Sequence, residues 1–142
     1  MNSPTAPVSP DGFNQLGEGY LPGLLGLRIR TSKPDQLVSE LPIRPELLAP
    51  NGYLHAASII ALADTTCGYG TLLNLPSGAS NFTTIELKSN FTGTARDGLI
   101  ECIAKPLHLG RSTQLWDAVV QIPSSGKTIA QFRCTQMLLW PR

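Results

Sequence analysis

The sequence has few cysteines, few aromatic residues and little charge of either sign, and each shortage narrows the classes of protein to consider. Its three cysteines, Cys67, Cys102 and Cys134, lie far apart and form neither a CxxC pair nor a Cys/His cluster. This spacing supports neither a disulfide framework nor a zinc site. We therefore expect the thiols to be buried core residues of a protein in a reducing, cytoplasmic compartment, with no metal site.

Charge is scarce and nearly balanced: 11 basic residues stand against 10 acidic ones, for a net charge of +1 in 142 residues. Proteins that bind nucleic acids usually carry a basic stripe, so this balance argues against a nucleic-acid partner. A small net charge also leaves little repulsion between copies of the chain, which favours self-association. The length has room for one domain.

The first residues lack both the basic and the apolar run of a signal peptide. They read MNSPTAPVSPDG and are rich in proline and serine. This composition predicts a disordered tail over residues 1–11. We expect a single domain over residues 12–142.

One segment, residues 54–73, is apolar or small nearly all round and carries one formal charge, Asp64. About twenty such residues approach the length of a membrane span, but the central carboxylate and the absence of a flanking basic cluster argue against one. A helix that is apolar all round is otherwise buried in a core, so we predict a buried helix and no membrane partner. The candidate caps are Asn51 or Gly52 at its start and Gly70 or Asn74 at its end.

Alternating apolar and polar residues predict strands on both sides of this helix. Two short strands precede it, over residues 27–31 and 36–41. The long strands that follow are predicted over residues 83–91, 98–109, 112–122 and 128–139, with a bulge or an edge position at Pro106. The last three are joined by short turns and predict an antiparallel meander. Strands of this length can curl about one helix, which gives an α+β fold, and the apolar surface left over predicts at least a dimer.

Asp64 is the outlier of the buried helix, because a buried carboxylate is costly unless it is hydrogen-bonded, paired or functional. It is either a structural residue, facing a groove or bonded to Thr65 or Thr66, or a general base or nucleophile. His55, at the helix start, is either a local cap or a site residue. Nine residues separate them, which places them on opposite sides of the helix and about 13 Å apart along its axis. Two antiparallel helices across a twofold axis would instead bring the N–H groups of one helix start to the carboxylate of the other, as acyl transfer requires.

Three segments resemble the PaaI-type acyl-CoA thioesterases of the hot-dog fold: NGYLHAASIIALAD, TTIELKSNFTGTA and LHLGRSTQLWDAVV. That family carries a G-x-x-H-G-G segment at the start of its central helix, an acidic residue further along it and a Gly-Arg turn between strands. Gly52, His55, Asp64 and the Gly110-Arg111 turn match these positions. The resemblance runs from about Gly19 to the C-terminus.

The resemblance implies a long central helix wrapped by a curved antiparallel sheet, and a role for each matched residue. Asp64 would attack the thioester or activate water. Ala56, from the partner chain, would offer its backbone N–H to the thioester oxygen, and His55 would line the same pocket. Thr84 matches a Ser/Thr position that helps to hold the water in some relatives.

The resemblance also implies the binding partners. The substrate would be an acyl-CoA, with coenzyme A as part of the substrate and no separate cofactor. Arg111, in the turn with Gly110, would meet a phosphate of coenzyme A, unless it is a solvated turn residue. The chain would form a homodimer and, further, a homotetramer.

Three departures from the family pattern keep alternative functions open. His55-Ala56-Ala57 stands where the family has His-Gly-Gly, Ala49 stands where it usually has Asn or Gln, and Gly68 replaces the Thr of some members. An acyl-CoA thioesterase is the leading hypothesis. A non-catalytic acyl-CoA-binding hot-dog domain is favoured by the departures and opposed by Asp64. A dehydratase or hydratase of the same fold ranks lowest, because its His and acid have a different spacing.

Overall fold

The structure, a computed structural model, describes residues 6–142 of the chain. A short 3-10 turn at Pro45–Leu47 precedes the longest helix. Within the described residues, the helices and strands in chain order are α1 Pro10–Leu16, α2 Leu21–Leu25, β1 Arg28–Lys33, β2 Gln36–Pro42, α3 Ala56–Leu73, β3 Asn81–Phe91, β4 Leu99–Leu109, β5 Thr113–Ile122 and β6 Lys127–Leu139.

The strands form one six-stranded antiparallel sheet in the order β1-β2-β4-β5-β6-β3. The predicted meander of β4, β5 and β6 is confirmed, since each pairs with the next. The bulge at Pro106 is also confirmed, because the β4–β5 register shifts between Pro106 and His108. β3 does not join its sequence neighbour β4: it crosses the molecule to pair with β6, while β4 pairs with β2.

The long helix α3 lies on the concave face of this sheet, and its sheet-facing residues, among them Ile59, Leu62, Ala63 and Cys67, are buried. By length and composition α3 could cross a membrane, but half of it is buried against the rest of the chain, as expected of a core helix. The inward side chains of β2, β4, β5 and β6, such as Trp116, alternate with outward polar ones. The predicted hot-dog arrangement of a central helix wrapped by a curved antiparallel sheet is confirmed.

Helix α3 begins later in the chain than predicted, and it ends at one of the two residues predicted for its end. His55, and neither Asn51 nor Gly52, is the N-cap, because its imidazole accepts from the first turn of α3. The helix ends at Asn74, as predicted, and runs straight through Gly70. A Cβ atom at Gly70 would collide with the Trp116 ring, so this glycine permits close packing rather than ending the helix.

The predicted tail over residues 1–11 overlaps the first helix. Pro10 and Asp11 already belong to α1, whose N-terminus is capped by the Ser9 hydroxyl accepting from the Gly12 N–H at 3.1 Å. A serine cap followed by proline and an acidic residue starts a helix, and the proline content masked that signal. The rest of the predicted tail includes residues 1–5, which lie outside the described residues.

The two edges of the sheet differ. At β1, the side chain of Asn14 from α1 accepts from the Ile29 N–H at 2.7 Å and donates to the Ile29 carbonyl at 3.1 Å. This amide occupies the edge as a neighbouring strand would. At the other edge, β3 pairs with β6 on one side only. The edge of β3 carries exposed Ile85, Leu87 and Phe91.

Candidate active site

Asp64 lies in the middle of α3, half-buried, with its carboxylate turned toward β3. Its Oδ1 accepts a long hydrogen bond, 3.4 Å, from the hydroxyl of Thr84 on β3, rather than bonding to its neighbours Thr65 or Thr66. Among residues 6–142, no basic side chain forms an ion pair with it. Burial raises the pKa of Asp64 and the bond from Thr84 lowers it, with burial the larger effect. Such a carboxylate is poised to accept a proton.

Thr84 also donates a hydrogen bond to a residue that the sequence analysis did not identify as a site residue. Its hydroxyl donates to Oε1 of Gln136 on β6 at 2.7 Å, and the two residues are direct partners in the β3–β6 register. Gln136 is fully buried. The signal was available in the sequence, because the alternation of β6 places position 136 in the same inward phase as Phe132 and Cys134.

The start of α3 presents a free backbone donor. Nδ1 of His55 accepts from the Ala57 N–H at 2.9 Å, and the His55 carbonyl accepts from the Ser58 N–H at 2.9 Å. The N–H of exposed Ala56 has no partner within the described residues. A free N–H at the positive end of a helix dipole is suited to a developing oxyanion. The interpretation of His55 as a local cap is confirmed, and its interpretation as a site residue stays a prediction.

The predicted site has two halves, Asp64 with Thr84 and Ala56 with His55. The structure does not bring these two halves together within one chain. Thr84 and Asp64 meet across the gap between α3 and β3. Ala56 and His55 lie at the far end of the helix, and the eight residues from Ala56 to Asp64 correspond to about 12 Å of helix rise. A thioester carbonyl placed at Asp64 would therefore be out of reach of the same chain's Ala56.

Gly110 and Arg111 occupy the turn before β5. The Gly110 N–H donates to the Thr113 carbonyl at 2.9 Å, so it serves the turn and is not free for a ligand. The guanidinium of exposed Arg111 stacks on the Trp140 ring, with 4.4 Å from its central carbon to the ring centre. The indole N–H of Trp140 donates to the Arg111 carbonyl at 3.0 Å. Arg111 is thus an oriented surface cation rather than a freely solvated one.

Two surface grooves lie elsewhere and contain neither half of the site. One, of about 260 Å³, lies on the outer face of the sheet beside Lys88 and Arg133. The other, of about 410 Å³, lies between residues 95–99 and 122–124. In residues 6–142, no group of three or more His, Cys, Asp or Glu side chains is placed to hold a metal ion.

Comparison with known proteins gives the family. Residues 51–129, more than half of the chain and including the whole of α3, match the thioesterase superfamily. The chain is 26% identical over 132 residues to the 1,4-dihydroxy-2-naphthoyl-CoA hydrolase of Escherichia coli, covering 93% of this chain and 96% of that protein. It is 27% identical over 110 residues to the proofreading thioesterase EntH of Cronobacter turicensis, covering 78% of this chain and 80% of that one.

Solved structures of similar proteins share the fold. Thioesterase HI1161 of Haemophilus influenzae matches with a TM-score of 0.88 at 24% identity, over 96% of this chain and 94% of that one. A mutant of thioesterase PA1618 of Pseudomonas aeruginosa matches with a TM-score of 0.88 at 23% identity, over 94% and 95% of the two chains.

The fold and the matched region define the class of protein as a thioester hydrolase. The chain belongs to the thioesterase superfamily, as the resemblance in the sequence predicted. The narrower PaaI-type assignment stays a prediction.

Proposed function

We propose that this chain hydrolyses acyl-CoA thioesters, with Asp64 as the general base or the nucleophile. The observation that carries the proposal is the Asp64 carboxylate itself: half-buried, without an ion pair in the described residues, and turned toward the Thr84 hydroxyl. Relatives named for the hydrolysis of a CoA ester and for thioesterase proofreading support the substrate class.

In the base form of the mechanism, Asp64 takes a proton from a water molecule held near Thr84. The water oxygen forms a bond to the thioester carbonyl carbon, and the carbonyl oxygen becomes an oxyanion. The C–S bond then breaks, and the proton passes from Asp64 to the sulfur of coenzyme A. In the nucleophile form, an Asp64 oxygen bonds to the carbonyl carbon, the C–S bond breaks, and coenzyme A leaves as the thiolate. Water then cleaves the resulting anhydride: its hydroxyl goes to the acyl carbon, its proton to the thiolate, and the Asp64 carboxylate is restored.

We propose that the oxyanion is stabilised by the Ala56 N–H of a partner chain, with His55 lining the same pocket. The free N–H and the positive end of the 18-residue helix supply the stabilisation. About 12 Å separates Ala56 from the Asp64 of its own chain, so each site needs two chains. Because Nδ1 of His55 accepts from Ala57, the neutral imidazole carries its hydrogen on Nε2, which leaves a second donor at the helix start.

The open edge of β3 is the surface that we propose for the dimer. If two β3 strands pair about a twofold axis, their α3 helices run antiparallel, which carries the start of one helix toward Asp64 of the other. The exposed side chains of Ile85, Leu87 and Phe91 at that edge supply apolar contact area. The dimer would assemble further into a homotetramer, for which the outward face of the sheet offers partly apolar surface at Val119 and Met137.

Arg111 is the residue that we propose for a phosphate of coenzyme A. Stacking on Trp140 holds its guanidinium at the surface with its N–H groups toward solvent, where a phosphate is bound through charge-assisted hydrogen bonds. The acyl group is a separate question. Its aromatic candidates in the sequence are Tyr53, Tyr69, Phe82 and Phe91, and two of them pack inside the chain. Tyr69 stacks on Phe13 with 4.9 Å between ring centres, and Phe82 packs against Gly68.

A thiol-release assay tests the proposal directly. The native protein is incubated with a panel of short, long and aromatic acyl-CoAs, and free coenzyme A is measured, with Asp64→Asn as the matched inactive control. Release by the native protein alone supports the proposed function. Binding of acyl-CoA by calorimetry without any release would support the second candidate, a non-catalytic acyl-CoA-binding domain. That candidate is favoured by Ala49, which has no side-chain amide where the family has one.

A further inference from the structure

The hydroxyl of Thr84 has one hydrogen and two acceptors within reach. Gln136 Oε1 lies at 2.7 Å and Asp64 Oδ1 at 3.4 Å from Thr84 Oγ1. One hydrogen cannot serve both acceptors fully, and the shorter contact takes the larger share. The bond to Asp64 is correspondingly weak.

The side-chain amide of Gln136 is buried and only partly hydrogen-bonded. It is completely buried, and among the described residues its Nε2 has no hydrogen-bond partner. A buried donor without a partner is costly, and an apolar side chain of the same size would avoid that cost. Its cross-strand neighbour Gln114 is equally buried but fully used, since it donates to the Asn74 carbonyl at 3.0 Å and accepts from the Trp116 indole at 2.9 Å.

We propose that Gln136 is a positioning residue, which draws the Thr84 hydroxyl hydrogen away from Asp64 and so keeps Asp64 a strong proton acceptor. A carboxylate that receives a full hydrogen bond is stabilised as the anion and accepts a proton less readily. With the hydrogen committed to Gln136, the lone pairs of Thr84 Oγ1 face the site. There they accept a hydrogen from the attacking water, or from Asp64 once it is protonated. This inference rests on the proposed function of Asp64.

Few other ionisable groups share the inner face with Asp64. The Cys67 thiol lies one turn along α3, where burial, the neighbouring Cys134 and Cys102 and the Asp64 charge all raise the pKa of its thiol, so it stays neutral. α2 carries no charged side chain. The charged side chains of the strands lie on the outer face or at its rim: Arg28, Arg30, Lys33, Glu40, Glu86, Lys88, Glu101, Lys105, Asp117, Lys127 and Arg133. Within residues 6–142, the Thr84–Gln136 pair is therefore the polar contact that can set the basicity of Asp64.

The test is the pH dependence of kcat for Gln136→Met, a substitution that keeps volume and removes both amide groups. Thr84 then gives its hydrogen to Asp64. The acidic limb of kcat is expected to move to lower pH by about one unit, with a lower plateau and little change in KM. A carbon NMR titration of the Asp64 carboxyl should move in the same direction. An unmoved limb and an unmoved titration in folded Gln136→Met would overturn the proposal.

Three further variants make the result specific. Gln114→Met is the matched control: equally buried, it does not touch Thr84, and the limb should stay in place. Thr84→Val removes the hydroxyl, so the limb should move to higher pH. In the Thr84→Val background, Gln136→Met should have no further effect, and an effect there would also overturn the proposal. If Asp64→Asn stays active, the proposed function fails, while the NMR titration still decides whether Gln136 controls the Asp64 carboxyl.

Discussion

Nδ1 of His55 accepts a hydrogen bond from the N–H of Ala57, two residues further along the chain, at 2.9 Å. A histidine therefore does the work that serine, threonine or aspartate usually does at a helix N-terminus. The bond also restrains the orientation of the ring, so that, if His55 lines the site as proposed, stability and catalysis would depend on the same side chain.

Replacing His55 separates these two roles. His55→Ala removes the capping acceptor and is expected to lower the free energy of unfolding by about 1 kcal/mol. His55→Asn retains a capping acceptor and should keep most of the stability. If the imidazole lines the pocket, both variants lose kcat/KM, although only the alanine variant melts earlier. Native kinetics in His55→Asn would show that His55 is a cap and nothing more.

Asp64→Asn is expected to abolish most of the activity while the fold and the oligomer persist. The amide keeps the volume and still accepts from Thr84, but it cannot take a proton. Loss of a general base typically costs about 10²–10⁴-fold in kcat. Steady-state kinetics beside a thermal melt checks this, and activity within a few-fold of native would make Asp64 a structural residue.

Stability should respond to the same substitution in the opposite direction. Burial raises the pKa of Asp64 above its ordinary value of 3.8. The folded protein therefore binds a proton that the unfolded chain has released, and the stability from this residue is present at low pH and lost as pH rises through the raised pKa. At neutral pH, Asp64→Asn should be at least as stable as the native protein, and urea melts at pH 4 and pH 7 would measure the difference.

Arg111→Ala should raise KM for acyl-CoA and leave kcat nearly unchanged. A contact with a remote phosphate is made equally in the ground state and the transition state, so its loss weakens binding alone. Arg28→Ala, which removes an exposed arginine on the edge strand β1, is the matched control for the change in charge. A fall in kcat at unchanged KM would contradict the assignment of Arg111.

A charge placed on β3, the open edge of the sheet, should prevent the two chains from associating. The same substitution should therefore also remove the activity. Leu87→Lys puts a cation on exposed β3, where a twofold axis would bring it near its own copy. We expect a folded monomer in sedimentation, inactive because Asp64 has lost the partner's Ala56. Thr31→Lys on the covered β1 edge should leave the assembly intact. Full activity in a monomeric Leu87→Lys would mean that one chain holds a complete site.

Gly70→Ala should destabilise the protein, although alanine favours a helix by about 1 kcal/mol over glycine. The added methyl group meets the buried Trp116 ring, which has no room to move, and overpacking of this kind costs about 1–3 kcal/mol. Gly68→Ala is the milder comparison, since its methyl group meets the half-buried Phe82 ring instead. Chemical denaturation of both variants checks the order.

The parts of the fold that depend on local pattern could be predicted. The apolar run around Asp64 gave the helix, alternation gave the strands, and short turns gave the β4-β5-β6 meander. The pairing of β3 with β6 could not be predicted, because it joins residues some fifty positions apart, such as Thr84 and Gln136. The strand that pairs with β3 depends on how the whole sheet curves around α3.

Some residues of the candidate site could likewise be predicted from the sequence, and others could not. Asp64 could be predicted because it is a charged residue in an otherwise apolar helix. Thr84 could be predicted from the resemblance to the thioesterase family. Gln136 was passed over because glutamine is common in exposed strand positions, and only its inward phase distinguishes it from Gln131 on the same strand. The free N–H of Ala56 has no side-chain signal at all. Backbone donors become visible when the neighbouring hydrogen bonds are known.

If copies of the chain join edge to edge as proposed, the amide of Asn14 on the Ile29 backbone would limit how many can join. A sheet whose two edge strands are both unpaired could add further chains at each edge without limit, as in a fibre. Here the chain's own first helix already uses the Ile29 groups of the β1 edge. If two copies pair through β3 as proposed, the edges left at the ends of the joined sheet would be β1 edges, and lateral growth would stop at two. A single asparagine side chain would thus convert an aggregation hazard into a finite, symmetric pair, and its loss would reopen the route to polymers.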